Sequence, residues 1–182
     1  MCSLLFLIMV RFNPAMQVLN KKEQKEIISL IHNLWGVDFK EVTGFGGVIH
    51  DDLAMFLSQK ERIYLANRSV EQAPLKDIRI NSIGCYFGEY KGGDLRLSIE
   101  GAQLIGPHAT KNWIELNSKE TEQWMKGETI IKETELAGFV LIKHAKDWLG
   151  CGKATADGRI LNFVPKTRRV VAGTLPGKIE DP

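Results

Sequence analysis

The amino-acid sequence predicts an α+β protein: a small α/β module followed by a small β-barrel carrying short helices. Three observations predict it. One amphipathic helix stands near the N-terminus. Ala73-Pro74 then breaks the pattern, and beyond it short strands alternate with glycine-rich turns.

The elements follow in chain order. Asn20 and Glu23 have the spacing of a capping box. Ile27, Ile28, Ile31, Leu34 and Trp35 recur at helical spacing, so a helix spans residues 21–35 and Gly36 ends it. VDFKEVTGFGG reads as a short strand and a turn. Asp51-Asp52 reads as the cap of a short helix, LAMFLSQK, and RIYLA, Arg62 to Ala66, as a strand. Residues 1–77 make up this first module. Its opening run, MCSLLFLIMV, has two readings: a buried strand, or an extension upstream of a start at Met9 or Met16. It lacks the positive n-region and small-residue cleavage site of a signal peptide, and it is too short to span a bilayer.

The second domain covers residues 78–170, with 171–182 as a tail. Ile78 to Tyr90 is a strand region interrupted by Gly84 and Gly88, and Lys91-Gly92-Gly93-Asp94 is a hairpin turn into Leu95 to Leu97. SIEGAQLI reads as a short helix capped by Ser98. Lys111 to Leu116 is a strand, and a helix opens at Ser118 and ends at Gly127. Strands are expected at Ile130 to Glu133, Gly138 to His144 and Leu149 to Thr155. Asp157-Gly158 is a strong two-residue turn, from which Ile160 to Val164 returns.

Composition bounds the function. A chain of 182 residues with 44% hydrophobic content can bury a core without disulfides. A net charge of +2 creates no global field toward nucleic acid. The distribution says more. From Lys143 to Arg169, seven basic side chains face two acidic ones, a local +5 that leaves −3 for the rest. Such a segment is either a face that meets an anion or a solvated surface. Cys2, Cys85 and Cys151 are few, odd in number and far apart, which argues for a reducing cytoplasm. With four scattered histidines they give no zinc-ligand spacing, so no metal is expected.

The tests for catalysis come out weak. Gly150-Cys-Gly-Lys153 fails as a phosphate loop, because the spacing is wrong, no Ser or Thr follows the lysine, and a turn and strand come next. The second half lacks the βαβ alternation of a dinucleotide fold. Thr43-Gly-Phe-Gly-Gly47 reads as a loop that needs positive φ. Cys151 lies seven residues from His144 on a neighbouring strand, with Lys153 nearby to lower a thiol pKa; the competing reading is a small residue on a packed strand. No paired carboxylates stand in an apolar setting. No catalytic residue and no cofactor are therefore assigned. Trp113 and Trp124 fit core positions; Trp148, beside the basic segment, fits either core or a stacking surface.

Several blocks in the second half, in order, carry a resemblance. They are Gly84-Cys-Tyr-Phe-Gly88-Glu89-Tyr-Lys91, the LSIEGAQLIGP helix, Trp124-Met-Lys-Gly127-Glu128 and Gly138-Phe-Val-Leu-Ile. The most specific is Leu149-Gly150-Cys-Gly152-Lys153, then Asp157-Gly158, Ile160-Leu161-Asn162 and Pro165-Lys166-Thr-Arg168-Arg169. Residues 78–169 resemble the PUA-type RNA-binding domain attached to Sun-type RNA 5-methylcytosine methyltransferases, the RsmF group. The first half, through Trp35-Gly36-Val37 and RIYLA, more loosely resembles the pre-PUA module that precedes such domains. The cysteine motifs and Rossmann fold of the methyltransferase are not found in this sequence, so the resemblance implies an RNA-binding module standing alone and no methyl transfer.

The chemistry of the last block fits that implication. Gly150 and Gly152 would let an RNA backbone approach the protein backbone. Lys153, Arg159, Lys166, Arg168 and Arg169 would meet phosphates. Asn162 would read a base edge or pin the local turn. The expected ligand is structured rRNA or tRNA, in RNA modification or ribosome assembly, with an RNA methyltransferase or an assembly factor as protein partner and no membrane. The runner-up is a protein-interaction subunit that docks on an RNA-processing enzyme through the N-terminal module; a third reading is an enzyme using Cys151.

Overall fold

The computed structural model describes residues 16–44, 47–48, 53–72 and 82–170. The expectations for residues 1–15 and for the tail at 171–182 fall outside these.

Helix α1, Lys21–Trp35, forms where the periodicity places it. Asn20 Oδ1 accepts the Glu23 amide at 3.1 Å, and Glu23 Oε2 accepts the Asn20 amide at 2.7 Å, so the capping box satisfies two otherwise orphaned donors. Gly36 ends the helix in the left-handed region, at φ 70°. Ile27, Ile31 and Trp35 face the core.

Strand β1, Met16–Val18, precedes the helix; β2, Thr43–Gly44, and β3, Gly47–Val48, form a small two-stranded ladder after it. Residues 39–41 are a turn rather than the strand expected there, and Val37, Phe39 and Val42 bury their side chains around it. A second correction concerns LAMFLSQK. Leu53–Ser58 is strand β4, not a helix, and pairs antiparallel with β5, Arg62–Asn67. Met55 enters the main core while Ala54 and Phe56 enter a separate cluster with Tyr64. Both faces are covered, so the run shows no polar alternation. A short apolar run of this kind does not reveal its period.

Strands β6, Cys85–Lys91, and β7, Asp94–Leu97, join through the expected turn, with Lys91 opposite Asp94. The first sheet is antiparallel in the order β1-β4-β5-β6-β7. The expected boundary at residue 77 lies outside the described residues, and the strands flanking it, β5 and β6, are neighbours in this one sheet.

Helix α2, Ile99–Ile105, follows with Ser98 as its cap, as expected. The second sheet contains β8, Trp113–Glu115; β9, Ile130–Ile131; β10, Gly138–His144; β11, Asp147–Ala154; and β12, Arg159–Leu161. Its order is β8-β10-β11-β12-β9, with β8 parallel to β10 and the other pairs antiparallel. Between β8 and β9 runs α3, Ser118–Lys126, which opens at Ser118 and ends at Gly127 as expected, with Asn117 as its cap because the Asn117–Glu120 pair completes a capping box. Two sheets with few helices make this an α+β protein with a PUA-like curled sheet.

The main core lies where α1 and the two sheets meet. Trp35 of α1, Phe87 of the first sheet and Leu141 of the second are each fully buried there. The other face of the second sheet closes over Trp124 of α3, with Ile142 and Ile160. The segment after β12 shares the lining of one cavity with residues of β5, β6 and β7 of the first sheet.

Candidate nucleic-acid interface

The basic segment folds as the hairpin its turn residues demand. Lys153 faces Leu161 and Ala154 faces Ile160 across β11 and β12. The Thr155 amide donates to the Arg159 carbonyl at 2.9 Å, closing the loop around Asp157-Gly158. The Thr155 hydroxyl donates to the Asp157 carboxylate and, with Arg159 beside it, holds that carboxyl below its usual range. Arg159 Nε lies 2.6 Å from Asp157 Oδ2, so its charge is engaged within its own turn.

The two glycines do different work from each other. A Cβ on Gly152 would lie 2.7 Å from Ile160 Cγ2 and 3.0 Å from Trp124 Cη2, so Gly152 is a packing glycine buried under α3. It does not open backbone to a ligand. Gly150, at φ 109°, is in a conformation that disfavours a side chain, and it does line an open cavity.

Asn162 pins the chain. Its Nδ2 donates to the Trp124 carbonyl at 2.8 Å and to the Glu128 carbonyl at 3.0 Å, and its Oδ1 accepts the Val164 amide at 2.7 Å. No amide hydrogen remains to read a base. Arg169 is likewise turned inward. Its Nε donates to the Val164 carbonyl at 3.1 Å, and its guanidinium covers Gly127 at the C-terminal end of α3, where a cation is favoured. Arg168 points the other way, 62% exposed, with Nη2 2.6 Å from Glu100 Oε1. Lys166 is exposed and forms no ion pair among the described residues. Lys153 Nζ sits 5.4 Å from the centroid of the Phe139 ring.

Tertiary structure adds residues that the sequence did not single out. A cavity of about 320 Å³ opens between the first sheet and the segment after β12. Arg62, Tyr86 and Arg96 enter it from β5, β6 and β7, and Phe163 and Arg168 from the other side. Arg96 lies over the Phe163 ring at 4.7 Å while its Nη2 holds Glu89 Oε2 at 2.6 Å. Phe163 meets Phe139 edge-on at 5.8 Å, so Lys153, two phenylalanines and Arg96 form one stacked run from the hairpin to the cavity. Arg62 lies 5.6 Å from the Tyr86 ring centroid. The alternation of Arg96 between the buried Leu95 and Leu97 was a legible sign that it leaves the core face. Nothing local tied it to Phe163.

The Cys151 arrangement is not a nucleophile. Cys151 is buried, and burial pushes its thiol up to about 12. Its strand partner is Leu141, whereas His144 faces Asp147 and bonds through Nδ1 with the Leu116 carbonyl at 2.8 Å. Three residues of strand, roughly 10 Å, separate the two groups. Among the tryptophans, Trp124 is fully buried and Trp148 nearly so. Trp113, expected in the core, is 36% exposed on the edge strand β8, its ring meeting Trp148 edge-on with Lys143 Nζ 5.1 Å away. Among the described residues no cluster of three metal-ligating side chains occurs, and no helix is long and apolar enough to cross a membrane.

Residues 111–170 match the family model for the methyltransferase RsmF PUA domain. This stretch runs from just before β8 to just past Arg169, so it holds the second sheet, α3 and the basic segment; α1 and the first sheet lie outside it. It is a PUA-type domain of the Sun/RsmF type, and such domains are RNA-binding modules. No curated protein matches the chain.

Proposed function

We propose that this protein binds structured RNA, with rRNA or tRNA as its ligand, in RNA modification or ribosome assembly. The observation that carries this is the cavity beside the hairpin, where Arg62, Tyr86 and Arg96 of the first sheet meet Phe163 and Arg168 of the PUA-type domain. Arginine near aromatic faces is suited to phosphate and base together. Gly150, Lys153, Lys166 and Arg168 line or flank this cavity and form the contact surface; Gly152, Asn162 and Arg169 support it from behind. The role is binding rather than catalysis, in a reducing cytoplasm where Cys85 and Cys151 stay as free thiols. An RNA methyltransferase or an assembly factor acting on the same RNA would be the protein partner.

A filter-binding titration of total tRNA and rRNA across salt tests the reading. Affinity should fall log-linearly with salt, with a slope set by several phosphate contacts. Arg62→Glu combined with Lys166→Glu and Arg168→Glu should abolish binding with the fold intact by circular dichroism. A flat salt dependence, or no binding to either RNA, removes the reading.

A further inference from the structure

We infer that the cavity at Tyr86 and Phe163 takes a single unstacked nucleotide of the bound RNA, its base against an aromatic ring and its phosphate toward Arg62. This deepens the RNA-binding reading and rests on it.

Volume and charge together select this ligand. At about 320 Å³ the cavity stands at the lower end of small-ligand pockets, and a duplex cannot enter it. A bare phosphate is a poor match too. Arg96 is already held by Glu89 and Arg168 by Glu100, each at 2.6 Å, so three arginines meet two carboxylates and the lining carries a net charge of only +1. What the lining offers instead is aromatic surface with mixed donors and acceptors. Phe163 is capped by Arg96, and the Tyr86 ring meets Tyr64 at 5.5 Å on one side, while among the described residues the Tyr86 hydroxyl makes no hydrogen bond and Arg62, 5.6 Å from the Tyr86 ring centroid, forms no ion pair. The groups left for a ligand are thus the part of the Tyr86 ring that Tyr64 does not cover, its hydroxyl, and the Arg62 cation, which can slide from the ring toward a phosphate. The two Arg–Glu pairs add donors and acceptors side by side, suited to the polar edge of a base. Gly150, at φ 109°, keeps the cavity clear where a side chain would project beside Ile99.

A nucleotide reaches such a cavity only by leaving its stack, which breaks pairing as well as stacking in a duplex and is cheaper where the base is unpaired. Bulged or single-stranded positions next to a helix are therefore the preferred targets.

The test uses the full chain and three RNA hairpins of one sequence: fully paired, with a single bulged adenosine, and with an abasic residue at the bulge. The adenosine bulge should bind about tenfold tighter than the other two, the scale expected for stacking one base on an aromatic ring. Tyr86→Leu should erase the difference and Tyr86→Phe retain it. Equal affinity for the adenosine and abasic bulges overturns the inference while leaving RNA binding in place. Failure to bind any hairpin, total tRNA or total rRNA overturns both. The comparison in the unmodified protein decides the matter if Tyr86→Leu does not fold.

Discussion

Asn162 Nδ2 lies 2.8 Å from the carbonyl oxygen of Trp124, which ties the end of the hairpin to the last turn of α3. The same side chain also holds Glu128 and Val164. Removing it takes the side-chain partner from the Val164 amide and the Glu128 carbonyl and leaves the Trp124 carbonyl with the Gly127 amide alone. Asn162→Ala should cost about 2 kcal/mol in urea unfolding at unchanged m-value. The folded fraction should keep its RNA affinity within about twofold. Wild-type stability with lost RNA binding would place the side chain in the interface instead.

Gly152 has no room for a methyl group between Ile160 and Trp124. Gly152→Ala should destabilise by about 1–3 kcal/mol, because neither the branched isoleucine nor the indole yields cheaply. Thermal melts followed by near-ultraviolet circular dichroism would report the disturbed Trp124.

Arg169 and Lys166 sit three residues apart and should behave oppositely. Arg169→Ala removes a charged hydrogen bond to Val164 and the cover over Gly127, and should cost about 1.5 kcal/mol in stability. Lys166→Ala should leave stability within about 0.5 kcal/mol and lower the salt slope of RNA binding by about one. Equal slopes for wild type and Lys166→Ala would remove Lys166 from the contact surface.

Cys151 should resist alkylation at pH 8 in the folded protein and react on unfolding, read by mass spectrometry after iodoacetamide. Its folded pKa is raised by burial to about 12, above the ordinary thiol value. A raised pKa means the folded state holds the proton more tightly. The associated stabilisation is complete below about pH 8.5 and is lost as pH climbs toward 12. Cys151→Ala should lessen that alkaline loss. Rapid labelling of the native thiol at pH 8 would contradict the burial argument.

Local chemistry determined much of this protein. The capping boxes, the glycine at the end of α1, the turns at Gly92-Gly93 and Asp157-Gly158 and most strands of the second sheet were legible, because each depends on neighbours within a few residues. The PUA resemblance rested on the same blocks, and the family match over residues 111–170 takes in the later ones and ends just past the last of them. Tertiary structure decided what local pattern could not. LAMFLS became a strand because β5 offered it a ladder and both faces found a core. Trp113 became exposed because β8 lies at a sheet edge. Above all, the basic run did not show which cations face solvent. Arg168 and Arg169 are adjacent, yet one lines the cavity and the other closes α3. Their direction is set by partners far away in sequence, Glu100 for one and Gly127 for the other, and only folding brings those partners within reach.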